Sequence, residues 1–343
     1  MRPIASERAD TDSLRRLAVL DVGSNTVHLL VVDAHRGGPP TPVVSRKSAL
    51  RLAESLDPTG RLTPHAADEL LRMVEQARRV AAAAGCADLL AFGTSALRQA
   101  ANATAVLERV HAETGVSLQV LSGHDEAVCT FLAARRWFGW SAGQLLVLDI
   151  GGGSLELAAG RDELPAAATS LPLGAGRLAR EWFAGDRASR AEIEALRRHV
   201  TRELDRPVRQ LSAVGPADLV VGTSKTFRSL ARLTGAAWAQ ERPRGRRVLT
   251  ATGLGQVEAF ISRMSASDLA ELKGVSPNRA HQLVAGAVVA SAAMATLGVR
   301  ELELCPWALR EGVILRRLDR LTATVPAPPR VVEAPSGQWT RGA

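Results

Sequence analysis

The chain has 343 residues, 46% of them hydrophobic and 23% charged, which is the balance of a globular protein long enough for two cores. It contains no apolar run near the ~20 residues that cross a bilayer, and its polar opening MRPIASERADTDSLRR lacks the apolar stretch of a signal peptide. The three cysteines Cys86, Cys129 and Cys305 form no CxxC pair, which excludes a disulfide framework or a zinc site and predicts a reducing, cytoplasmic setting without membrane partners. The net charge of +8 favours polyanions, whether nucleic acid, nucleotides or phosphate polymers. With no tyrosine and six phenylalanines the chain offers no stacking platform for single strands, so nucleic acid is the least favoured of these. Trp137, Trp140 and Trp182 are expected to pack rather than to stack on bases.

Strands are expected at Leu17–Val22, Thr26–Asp33 and about Pro42–Leu50, followed by a helix from Pro64 to about Ala84, with proline in its first turn and Gly85 as its stop. ADLLAFGTSALRQA at Ala87–Ala100 reads as a short buried strand, a Gly-Thr-Ser turn and a helix start. A helix at Ala103–Thr114, a strand at Ser117–Leu121 and a helix at His124–Trp137 complete the first unit, and GWSAGQ at Gly139–Gln144 punctuates it. The second half repeats the plan: strands at Leu145–Ile150, Ser154–Ala159 and about Ala168–Leu173, helices at about Gly176–Phe183 and Ser189–Ser212, then ADLVVGTSKTFRSL at Ala217–Leu230. The remainder reads as helical, with an alanine-rich helix at Pro277–Leu297, a strand at Glu301–Leu304 and a helix at Ala308–Leu318.

Two phrases occur twice. LAVLDVGSNTVHLLVVD and LLVLDIGGGSLELAAG place Asp21 and Asp149 128 residues apart, and the two Gly-Thr-Ser turns place Gly93 and Gly222 129 apart. A duplicated βββαβα unit explains both offsets. A glycine turn can be no more than a hairpin, since glycine accepts positive φ freely. Three successive glycines also strip the backbone so that N–H groups can face an anion. A carboxylate ending the strand beside such a cradle suits a hydrated Mg²⁺ between it and a phosphate. In SGHDEAVCTFLAARRWF the acids Asp125 and Glu126 fall in a first helical turn, where acids commonly complement the helix dipole; spacing does not choose between them.

LAVLDVGSNTVHLLVVD, AFGTSALRQAANA, LSGHDEA, LVLDIGGGSLEL, VVGTSKT and GVSPNRAHQLVAGAVV, in this order across roughly residues 17–319, resemble the exopolyphosphatase and guanosine pentaphosphate phosphatase family. The resemblance implies an α/β fold of two ribonuclease-H-like, actin-like ATPase domains with an interdomain cleft. The first domain would span residues 16–139 and the second 140–321, with the last helix, about 308–319, able to pack back on the first. Residues 1–15 and 322–343 would be disordered tails.

The resemblance also implies roles. Glu126 would align and deprotonate the attacking water, Asp125 standing where the family has a second glutamate. Arg98 would clamp the phosphoryl group. Asp149 and Glu156, with Asp21 as a third candidate, would hold Mg²⁺ or Mn²⁺; His28 stands where Glu156 does in the other repeat. Ser24, Asn25 and Thr26 would face Gly151, Gly152, Gly153 and Ser154 across the phosphate, and Thr223, Ser224 and Lys225 would complete the site. The lysine, where the family usually has glycine, is either a charge for a phosphate chain or a plug against a nucleotide base. Arg279 is either structural or a supporting cation. The implied function is exopolyphosphatase activity, on short chains because the long members' extra helical domains are lacking. Guanosine pentaphosphate phosphatase activity, which belongs to the stringent response, is the alternative, as is a catalytically weak polyphosphate or nucleotide sensor. An ATP-dependent kinase is the rival enzyme class, and a homodimer is expected from the family.

Overall fold

A computed structural model describes residues 14–235 and 247–322. In the first half, β1 (Arg15–Val22), β2 (Thr26–Ala34), β3 (Thr41–Ala49), α1 (Pro64–Ala83), β4 (Asp88–Gly93), α2 (Ser95–Gln99), α3 (Ala103–Thr114), β5 (Gln119–Val120) and α4 (Gly123–Phe138) follow in order. The second half contributes β6 (Leu145–Ile150), β7 (Leu155–Gly160), β8 (Ala167–Leu171), α5 (Ala175–Trp182), α6 (Arg190–Ser212), β9 (Leu219–Gly222) and α7 (Lys225–Leu233). It ends with β10 (Val248–Thr250), α8 (Ala251–Ile261), α9 (Ala266–Glu271), a 3₁₀ turn at Pro277–Gln282, α10 (Leu283–Thr296), β11 (Glu301–Leu304) and α11 (Leu309–Thr322). The alanine-rich helix is therefore shorter than the sequence suggests: its first turn is 3₁₀. Most of the expected tails lies outside the described residues, but Arg15 and Thr322, assigned to them, belong to β1 and α11.

The strands form two mixed sheets, ordered β3-β2-β1-β4-β5 and β10-β11-β9-β6-β7-β8. β1 pairs antiparallel with β2 and parallel with β4; β6 pairs antiparallel with β7 and parallel with β9. The duplication seen in the sequence thus reappears in register, Asp21 opposite His28 and Asp149 opposite Glu156. β1, β2, β6 and β7 are buried along nearly their whole length, on both faces, which is why their sequences are near-continuous apolar runs.

The two halves exchange helices. α4, which precedes the Gly139 punctuation, packs Ala127, Phe131 and Ala134 on Leu145, Val147, Ala158 and Val221 of the second sheet. α11 returns to the first sheet, where Ile314 and Leu318 join Leu17, Val19, Leu30, Val32 and Phe92. The two helices run close enough that a Cβ on Gly312 would collide with the carbonyl oxygen of Cys129, so only glycine permits the approach. Arg136 fastens the same junction, its guanidinium bonded to Glu163 at 2.7 Å and to Asp319 at 2.7 Å. Arg135, fully buried, donates to the carbonyls of Gly139, Gly143 and Gly160, which pins the GWSAGQ turn to the second sheet. α10 is apolar on every side, as expected of a helix enclosed by α5, α6, α7 and α8.

The tryptophans depart from expectation. Trp182 stacks on His199 and Trp137 meets Trp307 edge-on at 5.3 Å, but Trp140 is 64% exposed and Trp137 nearly half exposed, so neither of these two serves a closed core.

Candidate active site

β1 and β6 hold equivalent places in their two sheets, and each delivers a carboxylate, then a glycine turn, into a cavity of about 370 Å³ between the two halves. Asp21, Ser24, Asn25 and Thr26 enter from the first turn; Asp149, Gly151, Gly152 and Ser154 enter from the second, with Glu156 behind them on β7. Glu126 comes from α4 and Thr223, Ser224 and Lys225 from the start of α7. Cavities of about 1000 Å³ and 740 Å³ exist elsewhere, but neither brings the repeated turns together.

The glycines are needed for proximity, not for left-handed backbone. None of Gly23, Gly151, Gly152 and Gly153 has positive φ. A Cβ on Gly152 would sit 3.2 Å from the Ser24 side chain, and one on Gly153 would collide with Ser95. The second turn abuts the first; on the first turn Ser24 Oγ is bonded to Ser95 Oγ of α2 at 2.9 Å, and Asn25 Nδ2 donates across the halves to Gln282 Oε1 of the 3₁₀ turn at 3.0 Å. Gly153 accordingly supports the contact from outside the cavity lining.

Helix capping separates Asp125 from Glu126. Ser122 is the N-cap of α4 and accepts from the Asp125 amide while its hydroxyl donates to Asp125 Oδ2 at 2.7 Å. Asp125 then pairs with Arg316 at 3.6 Å, facing away from the cavity. Glu126, one residue on, is 6% exposed and turns into it. Arg98 Nη1 is bonded to the Glu126 carboxylate and, at 2.8 Å, to the Leu121 carbonyl. Its guanidinium thus holds Glu126 in place and is not part of the cavity lining, whereas the sequence expected it on the phosphoryl group.

Burial raises all four carboxylates of the site. Glu126 is pushed up to about 7 by desolvation, against the pull of Arg98. Glu156 rises through desolvation and then repulsion from Glu126 and Asp149, although Ser170 Oγ donates to it at 2.8 Å. Asp149 rises through burial despite a hydrogen bond from Thr223 Oγ1, and Asp21 rises despite Arg310 at 3.4 Å. Buried carboxylates that repel one another are a place where a divalent cation would be stabilising. Among the described residues no three such ligands form a ready cage. That fits Mg²⁺, which binds through one or two carboxylates and keeps water and substrate phosphates for the rest. The oxygens of Asp149 and Glu156, on directly paired positions of β6 and β7, suit it.

Five cations face these acids: Lys47 from β3, Lys225 and Arg228 from α7, Arg279 from the 3₁₀ turn and Arg310 from α11. Lys47, Arg228 and Arg310 were not singled out by the sequence, because each sits on a strand or helix that looks ordinary until the folds of both halves meet. His28 is also in the lining, its Nε2 bonded to Ser45 Oγ at 2.8 Å. Burial first, then Arg310 and Lys47, push it down to about 3, so it stays neutral.

A model of the Ppx/GppA phosphatase family matches residues 31–321. The chain belongs to that family. It is 59% identical over 304 residues to Exopolyphosphatase 1 of Mycobacterium tuberculosis, covering 89% of this chain and 88% of that protein. A Ppx-GppA enzyme of Aquifex aeolicus has a similar structure, with a TM-score of 0.74 at 25% identity, covering 89% of this chain and all of that one. An exopolyphosphatase from Cytophaga hutchinsonii superposes with a TM-score of 0.80 at 22% identity over 89% and 98% of the two chains, a likeness of fold. The actin-like two-sheet architecture expected from the sequence is therefore the family's fold.

Proposed function

We propose that this protein is an exopolyphosphatase, a phosphoanhydride hydrolase that releases orthophosphate from the end of inorganic polyphosphate. The observation that carries this reading is the composition of the cavity wall. Five cations and two glycine-rich turns surround it, yet among the described residues no Phe, Tyr or Trp side chain lines it, and its one imidazole, His28, is bonded to Ser45. A guanine base would find no large ring to stack on, whereas a bare phosphate chain needs only charge and hydrogen-bond donors. The cavity's small size favours short chains. The high identity to a protein named Exopolyphosphatase 1 supports the same choice.

Phosphoryl transfer is served chiefly by positioning and charge neutralisation. In this reading the second turn, through the backbone of Gly152 and Ser154, with Ser24, Asn25 and Thr26, holds the terminal phosphate, while the Gly151 amide closes the turn on the Ser154 carbonyl at 2.8 Å. Thr223 and Ser224 border the same space, and Lys47, Lys225, Arg228, Arg279 and Arg310 neutralise the phosphates behind it. Glu126, oriented by Arg98, takes the proton of the attacking water, and a carboxylate near 7 is well matched to that task. Asp149 and Glu156, with Asp21 nearby, would hold Mg²⁺ or Mn²⁺, which supplies charge stabilisation on the phosphoryl oxygens.

Among the described residues no helix is long and apolar enough to cross a membrane. Three unpaired cysteines, two of them buried, support a reducing compartment, hence a cytoplasmic location. Orthophosphate release should be compared on tripolyphosphate, long-chain polyphosphate, guanosine pentaphosphate and ATP, with Mg²⁺ and with EDTA. Metal-dependent release fastest from the short inorganic chain is expected. Preference for guanosine pentaphosphate would move the protein to nucleotide turnover.

A further inference from the structure

One nucleophile in the cavity has no part in the hydrolysis as an acid or base. Lys225 opens α7 directly after Thr223 and Ser224 and lines the same space as Gly151, Gly152 and Ser154. No described carboxylate pairs with its amine. The charged groups facing it are Arg279 from the 3₁₀ turn, Lys47 from β3, and Arg228 and Arg232 of its own helix, all cations. Its side chain is nonetheless open to the cavity.

We propose that Lys225 is an acylation site, modified by small acyl phosphates that dock in the phosphate cavity. The proposal rests on the phosphate-binding reading of that cavity. An acyl phosphate is a mixed anhydride whose phosphoryl end resembles the end of the substrate. With that end on the Gly151–Ser154 turn, the acyl carbonyl is brought toward Lys225. Nζ attacks the carbonyl carbon and forms a C–N bond. The bond from that carbon to the bridging oxygen breaks, and its electron pair leaves with orthophosphate. The amine's proton goes to the departing phosphate or to solvent, leaving a neutral amide. Modification removes one of five cavity cations and adds bulk, so it should lower turnover.

Burial and the surrounding cations push the Lys225 amine down to about 8. Roughly half of such an amine is unprotonated at pH 8, against roughly 0.4% of an ordinary lysine amine near 10.4. The chain supplies its own control, because its only other lysines are Lys47 and the exposed Lys273.

The test uses the full-length protein with acetyl phosphate at pH 8, with peptide mass spectrometry following acylation at the three lysines. Lys225 should react at least about tenfold faster than Lys273, and added orthophosphate or tripolyphosphate should slow Lys225 while leaving Lys273 unchanged. Loss of polyphosphate hydrolysis should track its occupancy. Lys225→Arg should resist inactivation by acetyl phosphate. Equal rates at Lys225 and Lys273, or a fast Lys225 that phosphate does not protect, would overturn the proposal. Phosphate release by the untreated sample is read in parallel, so failure of the acylation is distinguished from failure of the exopolyphosphatase reading.

Discussion

Replacing Glu126 by glutamine should remove activity and, at the same time, make the metal-free protein more stable as the pH rises. Glu126 is buried, and desolvation lifts its carboxyl from 4.5 to about 7. Below 4.5 both folded and unfolded chains carry the proton, so the group adds no pH dependence. Between 4.5 and 7 the unfolded chain releases its proton while the folded one keeps it, and stability falls. Above 7 the loss is complete. At 1.36 kcal/mol per unit, the displacement amounts to about 3 kcal/mol at most. Glutamine does not ionise, so its advantage over glutamate should grow through that window and then level off. Leaving Arg98 without its carboxylate costs a roughly constant amount, which drops out of the comparison across pH. Urea denaturation of both proteins in EDTA, from pH 4.5 to 8.5, measures the difference. A stability gap between the two that is flat with pH would refute the burial argument. In the same variant, turnover should fall by about 10²–10⁴ with KM little changed, as for loss of a general base.

Further substitutions probe the approach of the two halves and the charges of the cavity. Gly153→Ala should force the turns apart at Ser95 and Ser24 and lower kcat/KM by more than about tenfold, since small misplacements of positioning groups are costly; wild-type kinetics would contradict the close-approach account. Gly312→Ala should destabilise the protein by about 1–3 kcal/mol through the collision with the Cys129 carbonyl, read as a lowered denaturation midpoint. Arg279→Gln should raise KM for tripolyphosphate more than it lowers kcat, because the proposed function gives this cavity-lining arginine the phosphate chain and not the attacking water; a pure kcat effect would relocate it. EDTA should abolish phosphate release and Mg²⁺ restore it, while the folded state measured by circular dichroism stays unchanged.

The doubled sentence around Asp21 and Asp149 was legible because burial on both faces writes near-continuous apolar runs, and because the turns tolerate so few residue types. Those two features carried the duplicated strand pairs and their glycine turns, whereas the two-domain fold and the roles of the other site residues came from the family resemblance. Other parts depended on contacts that no local pattern encodes. Asp125 and Glu126 are adjacent acids, and only the Ser122 cap and Arg316 show which of them turns away from the cavity. Arg98 looked like a phosphate ligand, but its guanidinium reaches Glu126 through a fold in which α2 meets α4. The exchange of α4 and α11 between the halves follows from which sheet offers an apolar face, a question that spans residues 17 to 318. Arg310 illustrates the same limit: it meets Asp21 across 289 positions of sequence. Trp140 shows the converse error, a large apolar residue assigned to packing that the fold leaves in solvent.

The most direct test of the central claim is to hydrolyse tripolyphosphate in ¹⁸O-water and locate the label. Water attacking the terminal phosphorus places a single solvent oxygen in each released orthophosphate and none in the shortened chain, and Glu126→Gln should slow the appearance of that label. Label in the remaining chain would place the attack at the penultimate phosphorus. Label in neither product, or phosphate passed to another acceptor, would contradict the hydrolytic account altogether.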